Sequence, residues 1–208
     1  MVDQVDKVLA NEENLYKFDE EENDKLFNNK PWAKEEAYFK KVMLSTLAIT
    51  KIVTHAVRAG DKEIAGYMVG FTKERVFYVV DAVEFPLIGT TSRVEIADQI
   101  GDKIHIYTDD ILQSLKKVGR MQNYVGWYHS HPKITHPPSI VDLKTQFYQQ
   151  YQGLFIGLIF SVFSNDKSNL QRANLISFQT NQDINNSYIP VYQKIIFEAI
   201  FLFSSAKA

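Results

Sequence analysis

Between Tyr38 and Val57 the apolar residues Val42, Leu44, Leu47, Ala48, Ile49, Ile52, Val53 and Ala56 fall at helical intervals. Gly60 follows, and glycine tolerates the left-handed geometry that ends helices. The pattern therefore predicts one helix over 38–57, with His55 near its C-terminal end. There a histidine fits the core edge or the negative end of the dipole better than a metal. Ile64 to Phe71 and Arg75 to Ala82 read as strands joined at Thr72-Lys73-Glu74, a hairpin. Val125 to Tyr128 is a further strand, and Leu143 to Tyr151 a helix. Phe155 to Phe163 is almost wholly apolar, as a strand buried on both faces must be. Asn165 to Asn169 reads as a turn and Ala173 to Phe178 as a strand. Ile189 to Phe203 mixes β and helical signals around Pro190.

Two stretches lack this regularity. Residues 1 to about 30 are charged and rich in Asn and Glu, which predicts an extended arm or a short helix. Leu15, Tyr16, Phe18, Leu26 and Phe27 are its candidate docking points. Lys30-Pro31-Trp32 interrupts any helix, because proline disfavours α geometry in the residue before it. The expected organisation is an arm over 1–37 and one domain over 38–203. In the second stretch, Pro86, Gly89, Thr90 and Thr91 read as loop and Val94 to Tyr107 has no clear period. Asp109 to Val118 then looks helical. The segment 92–118 is thus either a lid-like insertion or an ordinary surface connection.

Composition narrows the function classes. The 208 residues are 45% hydrophobic and 13% aromatic, ample for a buried core. A net charge of −2 and a pI near 6.2 supply no basic field for nucleic acid. With no cysteine there are no disulfides, no thiolate zinc fingers and no cysteine nucleophile. The acidic, polar N-terminus is not a secretory signal. No apolar run reaches ~18 residues, so no membrane span is expected. These features predict a soluble intracellular protein.

Chemistry concentrates in Gly126-Trp127-Tyr128-His129-Ser130-His131-Pro132, followed by Pro138-Ser139-Ile140-Val141-Asp142. On a strand, positions 129 and 131 project from the same face. Ser139-x-x-Asp142 is a helix N-terminal signature, which puts Asp142 in a first turn where the dipole favours a carboxylate. Two imidazoles and one carboxylate form an open three-ligand site of the catalytic Zn2+ type. Zinc lowers the pKa of its bound water from about 15.7 towards ~7. Amide hydrolysis further requires a carboxylate that accepts and returns a proton, and a donor facing the developing oxyanion. Ser130 and Ser139 are nearby hydroxyls, whereas the carboxylate must come from elsewhere in the chain. His136, in a proline-flanked loop, reads as solvent-exposed. Serine-hydrolase chemistry lacks its G-x-S-x-G element.

His129-Ser130-His131-Pro132 with its spaced Ser139-x-x-Asp142 resembles the JAMM motif of the MPN-plus zinc metalloproteases. That motif includes an upstream glutamate, matched here by Glu63 in Glu63-Ile64-Ala65-Gly66-Tyr67. The resemblance implies that His129, His131 and Asp142 are the metal ligands, Glu63 the general acid/base and Ser139 a stabiliser of the tetrahedral intermediate. It implies an α/β (α+β) fold, a single MPN domain with a central curved mixed sheet flanked by helices. It also implies isopeptidase activity on ubiquitin or ubiquitin-like conjugates, in cytoplasm and nucleus.

Within the family, Tyr16-Lys17-Phe18-Asp19, Lys30-Pro31-Trp32, Tyr38-Phe39-Lys40, His55-Ala56 and Val118-Gly119-Arg120 resemble the catalytic subunits of the COP9 signalosome. Members of that kind remove NEDD8 from cullins and assemble with other signalosome subunits, including another MPN-domain protein. Residues 92–118 correspond to a segment that partly occludes the site. Two departures stand out. Lys133-Ile134-Thr135-His136-Pro137-Pro138, with Ile159-Phe160-Ser161 downstream, is more similar to the deubiquitinase of the BRISC type. The chain also ends soon after residue 200, where such subunits continue into helices, so it is either shortened or differently assembled. A deneddylase, a linkage-specific deubiquitinase and a non-catalytic MPN scaffold are the readings to separate.

Overall fold

The first apolar run divides into two elements. In the computed structural model, which describes residues 19–35, 37–86, 98–117, 123–132, 137–165 and 170–198, strand β1 covers Lys41–Ser45 and helix α2 follows as Thr46–Ala59. Val42 and Leu44 satisfy strand alternation as well as helical spacing, and pairing decides between them. β1 lies parallel to both β3 (Val76–Glu84) and β7 (Tyr188–Glu198). Ser45 is the switch: its hydroxyl donates to Val80 O (2.8 Å) and accepts from Ala48 N (3.0 Å), capping α2. Gly60, with φ 67°, ends α2 as its position predicted.

The hairpin forms between β2 (Ala65–Lys73) and β3, with its turn one residue later than expected, at Glu74 and Arg75. Both have positive φ, 48° and 67°, as the two-residue primed turns demand. Arg75 is held there by Nε donating to Tyr38 O (2.8 Å) and by an ion pair with Glu35.

The strands run in the order β1-β3-β2-β4-β5-β6-β7 and close on themselves, with β4 Asn123–Pro132, β5 Ile156–Asn165 and β6 Leu170–Gln182. The mixed sheet with flanking helices is the expected class. Its closure, which removes free strand edges, was not anticipated. Ala48, Ile52 and Ala56 of α2 share one buried cluster with Val42, Leu44, Met68, Val79, Tyr128, Leu158 and Phe160. Helix α4 (Ile140–Gln152) covers another face through Leu143, Ile159 and Phe178. Strand β4 thus faces two different environments.

Helix α1 (Glu20–Asn29) is capped by Asp19, whose Oδ1 accepts from Glu22 N (3.0 Å). Its Asn23 Oδ1 accepts from Thr72 Oγ1 (2.9 Å), and Leu26 rests on the main core. Leu15, Tyr16 and Phe18 lie outside the described residues.

Helix α3 spans Asp98–Lys117, so the patternless stretch up to Tyr107 is helical from residue 98. Ile104 and Thr108 are its buried anchors, and Ile104 sits with Ala65 and Phe85. Residues 92–97 and 118 of the expected insertion lie outside the described residues. So do 166–169 of the predicted turn and 199–203 of the last segment, of which Tyr188–Glu198 is strand. Among the described residues no helix is long and apolar enough to cross a membrane.

Candidate metal centre

Strand alternation on β4 sends Trp127, His129 and His131 to one side and Tyr128 and Ser130 to the other. Ser130 does not face the side of His129 and His131. Its Oγ accepts from Ile64 N (3.1 Å) and its N donates to Ile64 O (3.0 Å), so the residue between the histidines clamps the start of β2. That clamp brings Glu63, one residue earlier, alongside the histidine strand. Glu63 is buried rather than exposed as its local sequence alone predicts.

The third group arrives from α4. Ser139 caps the helix reciprocally with Asp142: Ser139 Oγ accepts from Asp142 N (3.2 Å), and Asp142 Oδ2 accepts from Ser139 N (2.7 Å). The same box fixes the Asp142 carboxylate towards β4. Its Oδ1 lies 3.3 Å from His129 Nε2, its Oδ2 lies 3.5 Å from His131 Nε2, and the two Nε2 atoms are 3.0 Å apart.

These spacings fit a zinc ion. A tetrahedron with bonds of ~2.0–2.1 Å has edges of about 3.4 Å, close to the 3.0–3.5 Å separating the two Nε2 atoms from each other and from the nearer Asp142 oxygens. Among the described residues this is the group of His, Asp and Glu side chains able to hold a metal. Burial opposes ionisation of Asp142, but hydrogen bonds from His129 and His131, with Ser139 adding to them, hold its carboxyl well below the usual carboxylate range. A half-buried, anionic carboxylate oxygen beside two buried imidazole nitrogens is a hard–borderline donor set suited to zinc.

His55 is elsewhere, as its position on α2 predicted. It is buried on the opposite side of β4, with Nδ1 2.9 Å from Tyr128 Oη and Nε2 3.9 Å from Glu84. It lines a separate cavity of about 420 Å³ with Lys51, Arg58, Asp81 and, from α3, Tyr107 and Ile111. Burial lowers its pKa, with Glu84 opposing and Arg58 assisting. His136 lies outside the described residues.

Two residues around the ligands escaped sequence reasoning. Trp127 stacks on His129, and its Nε1 donates to Gln146 Oε1 at 2.8 Å. The period of two through 127, 129 and 131 carried a signal for the first. The spacing Asp142–Gln146, one helical turn, carried one for the second.

A sequence model of the JAB1/Mov34/MPN/PAD-1 ubiquitin protease family matches residues 37–153, which hold all five motif positions. The chain belongs to this family. Among curated relatives, COP9 signalosome complex subunit 5 of Emericella nidulans is 40% identical over 147 residues, covering 71% of this chain and 43% of that protein. Its counterpart in Drosophila melanogaster is 34% identical over 154 residues, covering 74% and 46%. Subunit 5a of Arabidopsis thaliana is 37% identical over 148 residues, covering 71% and 40%. The chain spans less than half the length of these relatives. A solution structure of a Desulfitobacterium hafniense protein shares the fold, with a TM-score of 0.53 at 15% identity, over 77% of this chain and 95% of that one. An MPN domain is therefore the frame in which these side chains converge.

Proposed function

We propose that the chain is a zinc-dependent isopeptidase that hydrolyses the bond between the ubiquitin-like protein NEDD8 and a cullin lysine, as the catalytic subunit of a COP9 signalosome. The carrying observation is the convergence of His129 Nε2, His131 Nε2 and the Asp142 carboxylate at the separations of a tetrahedral site. The relatives named for that complex support the choice of substrate and assembly.

In this reading His129, His131 and Asp142 hold zinc, which when bound supplies Lewis-acid charge that acidifies water and polarises the scissile carbonyl. Glu63 is the proton carrier: its carboxylate accepts a proton from the attacking water and delivers it to the departing lysine nitrogen. Its burial keeps that proton from bulk solvent. Ser139 donates its hydroxyl proton to the oxyanion that develops at the carbonyl.

The Lys133 to Pro138 loop motivates the second reading, a deubiquitinase. Paired substrates separate the two: neddylated cullin and linkage-defined diubiquitin, each offered to the protein with the other subunits of its complex. Cleavage of the cullin conjugate is the expected result. Turnover of diubiquitin with the NEDD8 conjugate untouched selects the second reading. A protein that retains no zinc and cleaves neither substrate leaves the scaffold role.

A further inference from the structure

We infer that Trp127 and Gln146 are a positioning pair that sets the ring plane of His129 and, through it, the affinity of the site for zinc. The inference rests on the zinc reading above and adds residues outside the ligand set. A metal-binding histidine ordinarily has its ring fixed by the nitrogen that faces away from the metal, which donates to a carboxylate or carbonyl. Here His129 Nδ1 is buried, and among the described residues no hydrogen-bond partner meets it. Another device must hold the ring.

The indole of Trp127 provides it. The two rings lie nearly parallel, 8° apart with centroids at 4.7 Å, so tilting His129 drives it into the indole face. Trp127 is itself pinned: Phe178 meets it edge-on at 6.4 Å, and its Nε1 donates to Gln146 Oε1 at 2.8 Å. Gln146 is fully buried and has one allowed orientation. Its Nε2 donates to Phe155 O (2.9 Å) and to Gln150 Oε1 (3.2 Å), so flipping the amide would set donor against donor and acceptor against acceptor. Gln150 Oε1 accepts in turn from Thr180 N (2.9 Å), which roots the chain of bonds in β6. A buried network this fully satisfied is stiff. Gly157 leaves space for it, since a Cβ there would stand 2.7 Å from the Phe178 ring and 3.2 Å from Gln146 Oε1.

The placement also couples the ligands. Gln146 sits one turn after Asp142 on α4, and Trp127 sits two residues before His129 on β4. The Trp127–Gln146 hydrogen bond therefore ties the helix that brings the carboxylate to the strand that brings the imidazoles.

Zinc affinity of the full chain, measured by chelator competition, is the test, with the visible spectrum of the cobalt(II)-substituted protein as a second readout. Trp127→Ala and Gln146→Leu should weaken zinc binding by about 10–100-fold, the usual cost of losing an outer-shell brace, and shift the cobalt bands. The pair Trp127→Phe with Gln146→Leu keeps an aromatic face and leaves no unpaired N–H, and should recover most of both. Single variants with parental circular dichroism, parental cobalt bands and zinc affinity within about twofold of the parent would overturn the inference. Should either single variant fail to fold, Trp127→Phe alone decides: a few-fold loss with shifted bands supports the pair, and parental values sink it. A parent chain that takes up no zinc instead defeats the metal reading, a different failure.

Discussion

Among the described residues, two histidine–carboxylate clusters lie on opposite sides of the same strand, and they are built differently. At His129, His131 and Asp142, ligand atoms of three residues point at one small volume, and the far nitrogens of both rings are buried without described partners. At His55, the ring nitrogen is spent on Tyr128 Oη, and the neighbouring carboxylate of Glu84 is spent on Arg58. In the first cluster the donor atoms of three residues converge on one point; in the second each group meets a separate partner. Proximity of histidine to carboxylate is common to both, so convergence is the feature that marks a metal site.

That contrast can be broken most severely at the ligands. His131→Ala should abolish stoichiometric zinc by metal analysis and abolish cleavage, while leaving the His55 cluster and the fold intact. Full zinc occupancy in that variant would contradict the assignment of the centre. The next effect belongs to Glu63→Gln, which should retain zinc and lose about 10²–10⁴-fold in cleavage rate, the range of a general acid/base. A variant with parental turnover would show that another group moves the proton.

A smaller change tests the other side of β4. Tyr128→Phe leaves buried His55 Nδ1 without its partner and should cost about 1–3 kcal/mol in chemical denaturation. Zinc stoichiometry should not change, because Tyr128 projects away from the ligands. Loss of zinc in a folded Tyr128→Phe protein would mean that the two clusters are not separate.

The smallest effect is a pH dependence. Burial holds the His55 pKa below its ordinary value near 6.5. Below about pH 6.5 the unfolded chain therefore binds a proton that the folded chain resists, and stability falls as pH drops through that window. Above it the contribution is complete. His55→Asn, which offers an amide where Nδ1 sits, should flatten the dependence of the urea midpoint between pH 5 and 8. An unchanged slope would locate the dependence in other groups.

Legibility in the sequence followed the range of the interaction. The His129–His131–Asp142 cluster was readable because it is local: alternation aligns His129 with His131, and the Ser139–Asp142 box orients the carboxylate within one turn. The hairpin and α4 were readable for the same reason. Glu63 was not readable in its own neighbourhood, and only resemblance to a family motif singled it out. Its burial depends on Ser130, 67 positions away, bonding to Ile64. β1 was misread because Val42 and Leu44 suit two periods, and strands β3 and β7 chose between them. The first half of α3 was not read as a helix because Gly101 and the β-branched Ile104 and Ile106 are weak helix formers, and its packing against Ala65 and Phe85 is a tertiary contact.

By itself, then, the chain determined the candidate donor residues and the spacing that puts them on one strand face and one helix start, and the class of fold came through its family resemblance. Tertiary structure decided the rest: that the sheet closes, that Glu63 is buried beside the histidines, and that Ser130 faces away to hold it there. It also decided that His55 is satisfied and that Trp127 and Gln146 stand behind His129. The reason is physical. Backbone periodicity and capping act over a few residues, whereas burial and convergence are properties of segments that meet only after the chain has folded.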